Sequence, residues 1–133
     1  MEWPELTDFL ATFDGKWDLG ILANLEAGPM RPAELCRVIN DEVRGTGHVL
    51  DPGVLASTLK RLIDDGLVEH RDVASFPRTA LYSLTPDAYD LVAVLNGVDA
   101  WYAARRRYWQ QRTDAIMHRR VPMLRRFARR QGA

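Results

Sequence analysis

The stretch LDPGVLASTLKRLIDDGLVEHR, residues 50–71, leaves the chain little choice of local structure. Asp51 is a good N-cap, and Pro52 suits the first helical position, where its missing N–H costs nothing. Leu55, Leu59, Leu62 and Ile63 then fall within one face of the helical period. Gly66 stands where a left-handed residue ends a helix. Leu67–Asp72 follows as a strand, ASFPR as a turn and Thr79–Leu84 as a second strand, which makes a hairpin. Such a joint is common in small proteins, and it is also how a helix is presented to DNA. The rest of the chain decides between the two.

Upstream, Leu6–Phe13 reads as a short helix with Leu6, Phe9, Leu10 and Phe13 on one face. Trp17–Ala27 is a second helix that buries Trp17, Ile21, Leu22 and Leu25, and Gly28-Pro29 ends it. A third begins near Pro32, with Leu35, Val38 and Ile39 inward and Glu34 and Arg37 outward. Asp41–Val49 is polar, carries Gly45 and Gly47, and reads as a loop. Downstream, Thr85-Pro86-Asp87 opens a last helix with cap, proline and acid in register. Ala88, Leu91, Leu95, Val98 and Tyr102 form an apolar seam along it. Beyond Tyr102 one half of the seam stays apolar (Trp109, Ile116, Met123). The other half becomes Arg105, Arg112 and Arg119, and Pro122 is expected to kink or restart the helix.

With 133 residues, 47% of them hydrophobic, the chain suffices for one domain with one core. It has no apolar run of membrane-spanning length. Its acidic start, MEWPELTDF, does not resemble a secretory signal. The single cysteine, Cys36, excludes an internal disulfide and points to the cytoplasm. The formal net charge is zero but unevenly spread. Residues 1–100 hold 8 Lys/Arg against 17 Asp/Glu, whereas residues 101–133 hold 10 against 1. The basic tail is either a nucleic-acid arm or a strap over an acidic body, its own or a partner's.

Three helices, a two-stranded hairpin and a long closing helix make a winged helix-turn-helix, mainly α with a small β-hairpin. The residues carry a family likeness as well. DGKWDLGILANLEAGPMRPAEL resembles the opening of HxlR-type regulators, with a Gly-Lys-Trp signature before one helix and a Gly-Pro before the next. LDPGVLASTLKRLIDDGLVEHR and FPRTALYSLTPDA resemble that family's recognition helix, wing and Leu-Thr helix start. The resemblance covers about Gly15 to Tyr102; PadR-type regulators are the next nearest, through LDPGVL. It implies a cytoplasmic bacterial transcription factor, dimeric through its first and last helices, that reads an inverted repeat in double-stranded DNA. Residues 1–102 would be the winged domain with the first dimerisation helices, and 103–133 an Arg-rich helical extension. Three features depart from the family. Residues 1–16 lack the reactive cysteine of many such sensors, the 41–49 loop is longer, and the segment after Tyr102 is added. Cys36 is either a small packing residue or a redox sensor.

With Leu55, Leu59 and Leu62 inward, Gly53, Ser57, Lys60 and Asp64 lie on the opposite side of the helix, with Arg61 alongside. Gly53 and Ser57 would allow close approach, Lys60 and Arg61 would meet phosphate or guanine, and Thr58, flanking the core face, would touch a thymine methyl. Arg78 at the wing tip and Arg71 below it would contact phosphate or the minor groove, and Arg31 and Arg37 would hold phosphates beside the major groove. Against this, residues 51–79 carry four basic and five acidic side chains, a poor electrostatic match for DNA.

The aromatics gather at the two ends: Trp3, Phe9, Phe13 and Trp17, then Trp101, Tyr102, Tyr108 and Trp109. They either pack a dimer interface or border a flat pocket there for a small aromatic effector, lined by Trp17, Trp101 and Tyr102. His48, His70 and His118 stand far apart, and no nucleophile grouping, phosphate loop or metal motif is present. No enzyme, cofactor or metal site is expected. The leading reading is a ligand-responsive, dimeric DNA-binding regulator. The alternative is a small-molecule-sequestering or protein-interaction module on the same scaffold without DNA binding.

Overall fold

The computed structural model describes residues 1–13, 15–73 and 79–120, with side chains as far as residue 115. The order is α1 (Trp3–Ala11), α2 (Asp18–Leu25), α3 (Pro32–Glu42), α4 (Pro52–Asp64), β1 (Val68–Asp72), β2 (Ala80–Leu84), α5 (Pro86–Ala104) and α6 (Arg106–Arg120). The chain divides into two compact units, residues 1–93 and 94–133. None of the described helices is long and apolar enough to cross a membrane.

The first unit is a winged helix. Ile21, Leu22 and Leu25 of α2, Leu35 and Ile39 of α3, and Leu55, Leu59 and Leu62 of α4 form one core with Val68, Leu84, Ala88 and Val92. Burying each of these Val, Leu and Ile side chains contributes about 1.5–3 kcal/mol. β1 and β2 pair antiparallel, Val68 opposite Leu84 and Asp72 opposite Ala80. Met30 adds one bridge to Tyr82, so the segment entering α3 is stitched to the wing. The α5 seam differs from the expected one. Within this unit the helix buries Ala88 and Val92, while Leu91 is only half-buried.

The boundaries of α4 follow from its caps. The Asp51 carboxylate accepts from the backbone N–H groups of Gly53 and Val54, which would otherwise lack partners. At the other end the N–H of Leu67 bonds the carbonyl of Leu62 and that of Gly66 the carbonyl of Ile63. This is the Schellman pattern, and it needs Gly66 at φ +76°. Thr85 closes the wing: its hydroxyl donates to the Gly66 carbonyl and accepts from the N–H of Ala88.

α3 runs two residues further than expected, to Glu42, so the irregular turn before α4 is shorter. Asn40 explains how that turn is held. Its side chain accepts from the Leu50 N–H at 2.7 Å and donates to the Leu50 carbonyl at 3.1 Å. The Cys36 thiol donates to the same carbonyl and packs against the core, the environment of a packing residue.

The second unit holds the end of α5 and all of α6, two separate helices where a continuous one was expected. The break is at Arg105, without proline or glycine. Its N–H bonds the Tyr102 carbonyl, one residue short of the α-helical partner. The Trp101 carbonyl it abandons is taken by its own guanidinium, which lies over the Trp101 ring at 4.6 Å. Arg112 likewise covers the Tyr108 and Trp109 rings. Arg105 and Arg112 thus both lie on aromatic rings. Pro122 and Met123 lie outside the described residues, as do the side chains of Ile116, His118 and Arg119.

Candidate nucleic-acid interface

α3 and α4 make the helix-turn-helix, and α4 turns its apolar side to the core. The side opposite is open. Gly53, Val54, Ser57, Lys60 and Asp64 are all exposed. Gly53 has a local duty as well, since a Cβ there would crowd the capping Asp51 oxygen. Ser57 donates to the Val54 carbonyl, which still leaves its oxygen able to accept. Lys60 is exposed and has no ion-pair partner among the described residues.

Two expected contact residues are placed otherwise. Thr58 is only 9% exposed, and its hydroxyl donates to the Val54 carbonyl at 2.7 Å. It belongs to the core-facing side, because one residue is about 100° of helix rotation from Leu59 and nearness to that stripe draws it in. Arg61 leaves the outward face too. Its guanidinium pairs with the Asp18 carboxylate and donates to the Thr12 carbonyl at 3.2 Å.

Around α4, Arg37 is exposed on α3 and Arg71 on β1. Arg31, just before α3, donates through Nε to the Thr79 hydroxyl at 2.9 Å, which braces the start of the wing strand. Arg78 lies outside the described residues. Trp17 is half-buried against the core with the Lys16 ammonium over its ring, whereas Trp101 and Tyr102 are exposed on the second unit. Among the described residues no group of His, Cys, Asp and Glu is placed to hold a metal.

The sequence reading does not single out Asp18 or Asn40. Asp18 had a readable signal. It precedes Ile21, Leu22 and Leu25 at helical spacing, so it is a charge on an apolar stripe. It is fully buried.

An open-faced capped helix, a turn before it and a braced two-stranded wing form the arrangement by which winged helices enter a major groove. The comparisons agree with the geometry. A protein of Enterococcus faecalis described as a MarR-family transcriptional regulator is 26% identical. The match covers 84% of this chain and 94% of that one, with a TM-score of 0.68. The reduced form of the transcriptional regulator YodB from B. subtilis is 25% identical over 77% of this chain and 92% of its own, with a TM-score of 0.61. YodB is also known in a quinone-bound form, 25% identical over 76% of this chain and 98% of that chain, with a TM-score of 0.57. Comparison with curated proteins gives no match. The model of the HxlR-like helix-turn-helix family matches residues 12–111, which take in the whole winged helix. With that span and this geometry in agreement, the chain belongs to the HxlR-like helix-turn-helix family of DNA-binding transcriptional regulators.

Proposed function

We propose that the protein works in the cytoplasm as a homodimer that reads an inverted repeat in double-stranded DNA, under the control of a small planar aromatic ligand at the dimer interface. The observation that carries the DNA-reading part is the open side of α4, with Gly53, Ser57 and Lys60 in line on a helix capped at both ends. Ser57 and Lys60 face base edges and phosphate, and Arg31, Arg37, Arg71 and Arg78 hold the flanking backbone. With Arg61 engaged internally, Lys60 is the one cation on the outward face of α4. Each phosphate contact therefore carries a large share of the affinity.

A gel shift with the DNA upstream of the protein's own gene, run at several salt concentrations, tests this. Specific retention with a steep salt dependence is the expected result. Lys60→Ala should weaken binding several-fold and reduce the salt slope by about 0.9, with thermal stability changed by less than about 0.5 kcal/mol. No retention at low salt would leave the sequestering or protein-interaction alternative, which the acidic surplus of residues 1–100 favours.

The ligand part rests on Trp17, Trp101 and Tyr102. An aromatic pocket at an interface suits a flat apolar ligand, and the quinone-bound form of YodB supplies a related precedent. Planar aromatic compounds titrated into the protein should change tryptophan fluorescence in a saturable way. A flat or unsaturable signal would remove this part and leave the DNA reading intact.

A further inference from the structure

We infer that Asp18 and Arg61 are a positioning pair for DNA recognition: they fix the rotation of α4 about its own axis and so the direction of Ser57 and Lys60. The inference rests on the DNA-reading role of α4.

Arg61 directly follows Lys60 on α4, yet its guanidinium turns away from the open side. Among the described residues it reaches two points on other elements, the Thr12 carbonyl just after α1 and the Asp18 carboxylate at the start of α2. Asp18 is fully buried, and its second oxygen, Oδ2, has no hydrogen-bond partner among the described residues. A buried carboxylate with an unsatisfied oxygen is a costly way to join two helices. A leucine at that place on the stripe of Ile21, Leu22 and Leu25 would join them more cheaply. What an ion pair adds is direction. The leucines of α4 hold it to the core without strongly resisting a small turn about its axis, whereas a guanidinium held at two acceptors does resist one.

The surrounding chain is built around the pair. A Cβ on Gly15 would collide with both the Asp18 carboxylate and the Arg61 guanidinium, so the backbone passes close because no side chain stands there. Lys16, the next residue, donates to His48 Nδ1 at 2.6 Å, in the turn that leads into α4. The link between α1 and α2 therefore touches α4 late in its length and the approach to it at the other end. Gly15 and Lys16 belong to the Gly-Lys-Trp signature, and this geometry gives that signature a physical task in this chain.

The test uses the full chain with Asp18→Asn, Arg61→Met and both together. Binding to the operator and to an unrelated duplex is measured over a range of salt, at temperatures where each variant is folded. Each single change should lower operator affinity about ten-fold, and the double change should do no more than the worse single one. Affinity for the unrelated duplex and both salt slopes should stay as in the parent, which a loss of folded protein or of a phosphate contact would not allow. Arg61→Lys should restore part of the operator affinity. A silent Asp18→Asn, with Arg61→Met losing affinity for both duplexes and about 0.9 of salt slope, would make Arg61 a phosphate contact and overturn the inference. Should Arg61→Met fail to fold, Asp18→Asn and Arg61→Lys carry the comparison. If the parent protein binds no duplex, the proposed function fails. Amide exchange then decides on the pair alone: Asp18→Asn should speed exchange along α4 about ten-fold while α3 is unchanged. Equal exchange in the two helices would overturn it.

Discussion

Leu62→Ala is expected to destabilise the protein by about 2–5 kcal/mol and to lower Tm by roughly 10–20 °C. Leu62 is fully buried in the core cluster to which α2, α3, α4 and the hairpin all contribute. Truncation removes about three methyl or methylene groups and leaves a cavity that packed helices close only in part. Its carbonyl is also the acceptor in the Schellman turn, but alanine keeps that bond, so the loss is one of packing. Total stability for a domain of this class is about 5–15 kcal/mol, so one residue carries a large part of it. Urea denaturation at fixed protein concentration is the measurement, with the midpoint falling and the m-value kept. Lys60, two residues earlier and on the other side of α4, is the internal control, because its removal affects binding rather than folding. A Leu62→Ala loss below about 1 kcal/mol would mean that α4 is not seated in a rigid core, and with it the argument that its outer face is held out for DNA would fail.

The features of α4 were legible because they are local. Asp51, Pro52 and Gly66 each act on backbone groups a few residues away, so their types and spacing announce the helix and its ends. The strands were legible for the same reason, being bounded by Gly66 and by Thr85-Pro86. What depends on distant residues was not. Arg61 and Asp18 are 43 positions apart, and Arg61 and Thr12 are 49 apart. A helix wheel puts Arg61 at the flank, from which a long flexible side chain reaches either solvent or a neighbouring element. Only the fold places an acceptor there. Thr58 sits at the other flank, where its short side chain follows the core. The spacing on α5 announces an apolar seam but not its partners: in the first unit the helix packs Ala88 and Val92 with the winged-helix core, while Val98 and Tyr102 of the seam are exposed. The break at Arg105 had no sequence signal of the usual kind, since it comes from a side chain replacing a backbone bond above a tryptophan.

Converting two exposed aromatics to acids, Phe9→Glu with Trp101→Glu, is expected to give a monomer and to lower operator affinity by about 10²–10⁴-fold. α1 has no buried residue, although Leu6, Phe9 and Leu10 share one face of it. In the second unit Val94, Val98, Trp101, Tyr102 and Tyr108 are exposed. Each aromatic ring offers about 150–250 Å² for burial, and single soluble chains rarely leave more than a few hundred Å² of contiguous apolar surface open. In the proposed homodimer a second copy of the chain would cover both surfaces, since an isologous contact needs only residues already present. Arg105, between α5 and α6, and Arg112 of α6 suit such an interface, since they lie on aromatic rings and cover them with a charge that tolerates the rim. A carboxylate at position 9 or 101 has no such partner and would have to be desolvated when two copies meet. The affinity then falls because two half-sites bound by one dimer are an intramolecular pair, and a monomer loses that effective concentration. Sedimentation velocity gives the state of assembly, and a gel shift on whole and half operators gives the affinity. The parent should prefer the whole site strongly, and the double variant should bind both alike. A variant that stays dimeric, or a monomer that keeps full operator affinity, would detach DNA reading from these aromatic faces and leave their exposure to be explained by another partner.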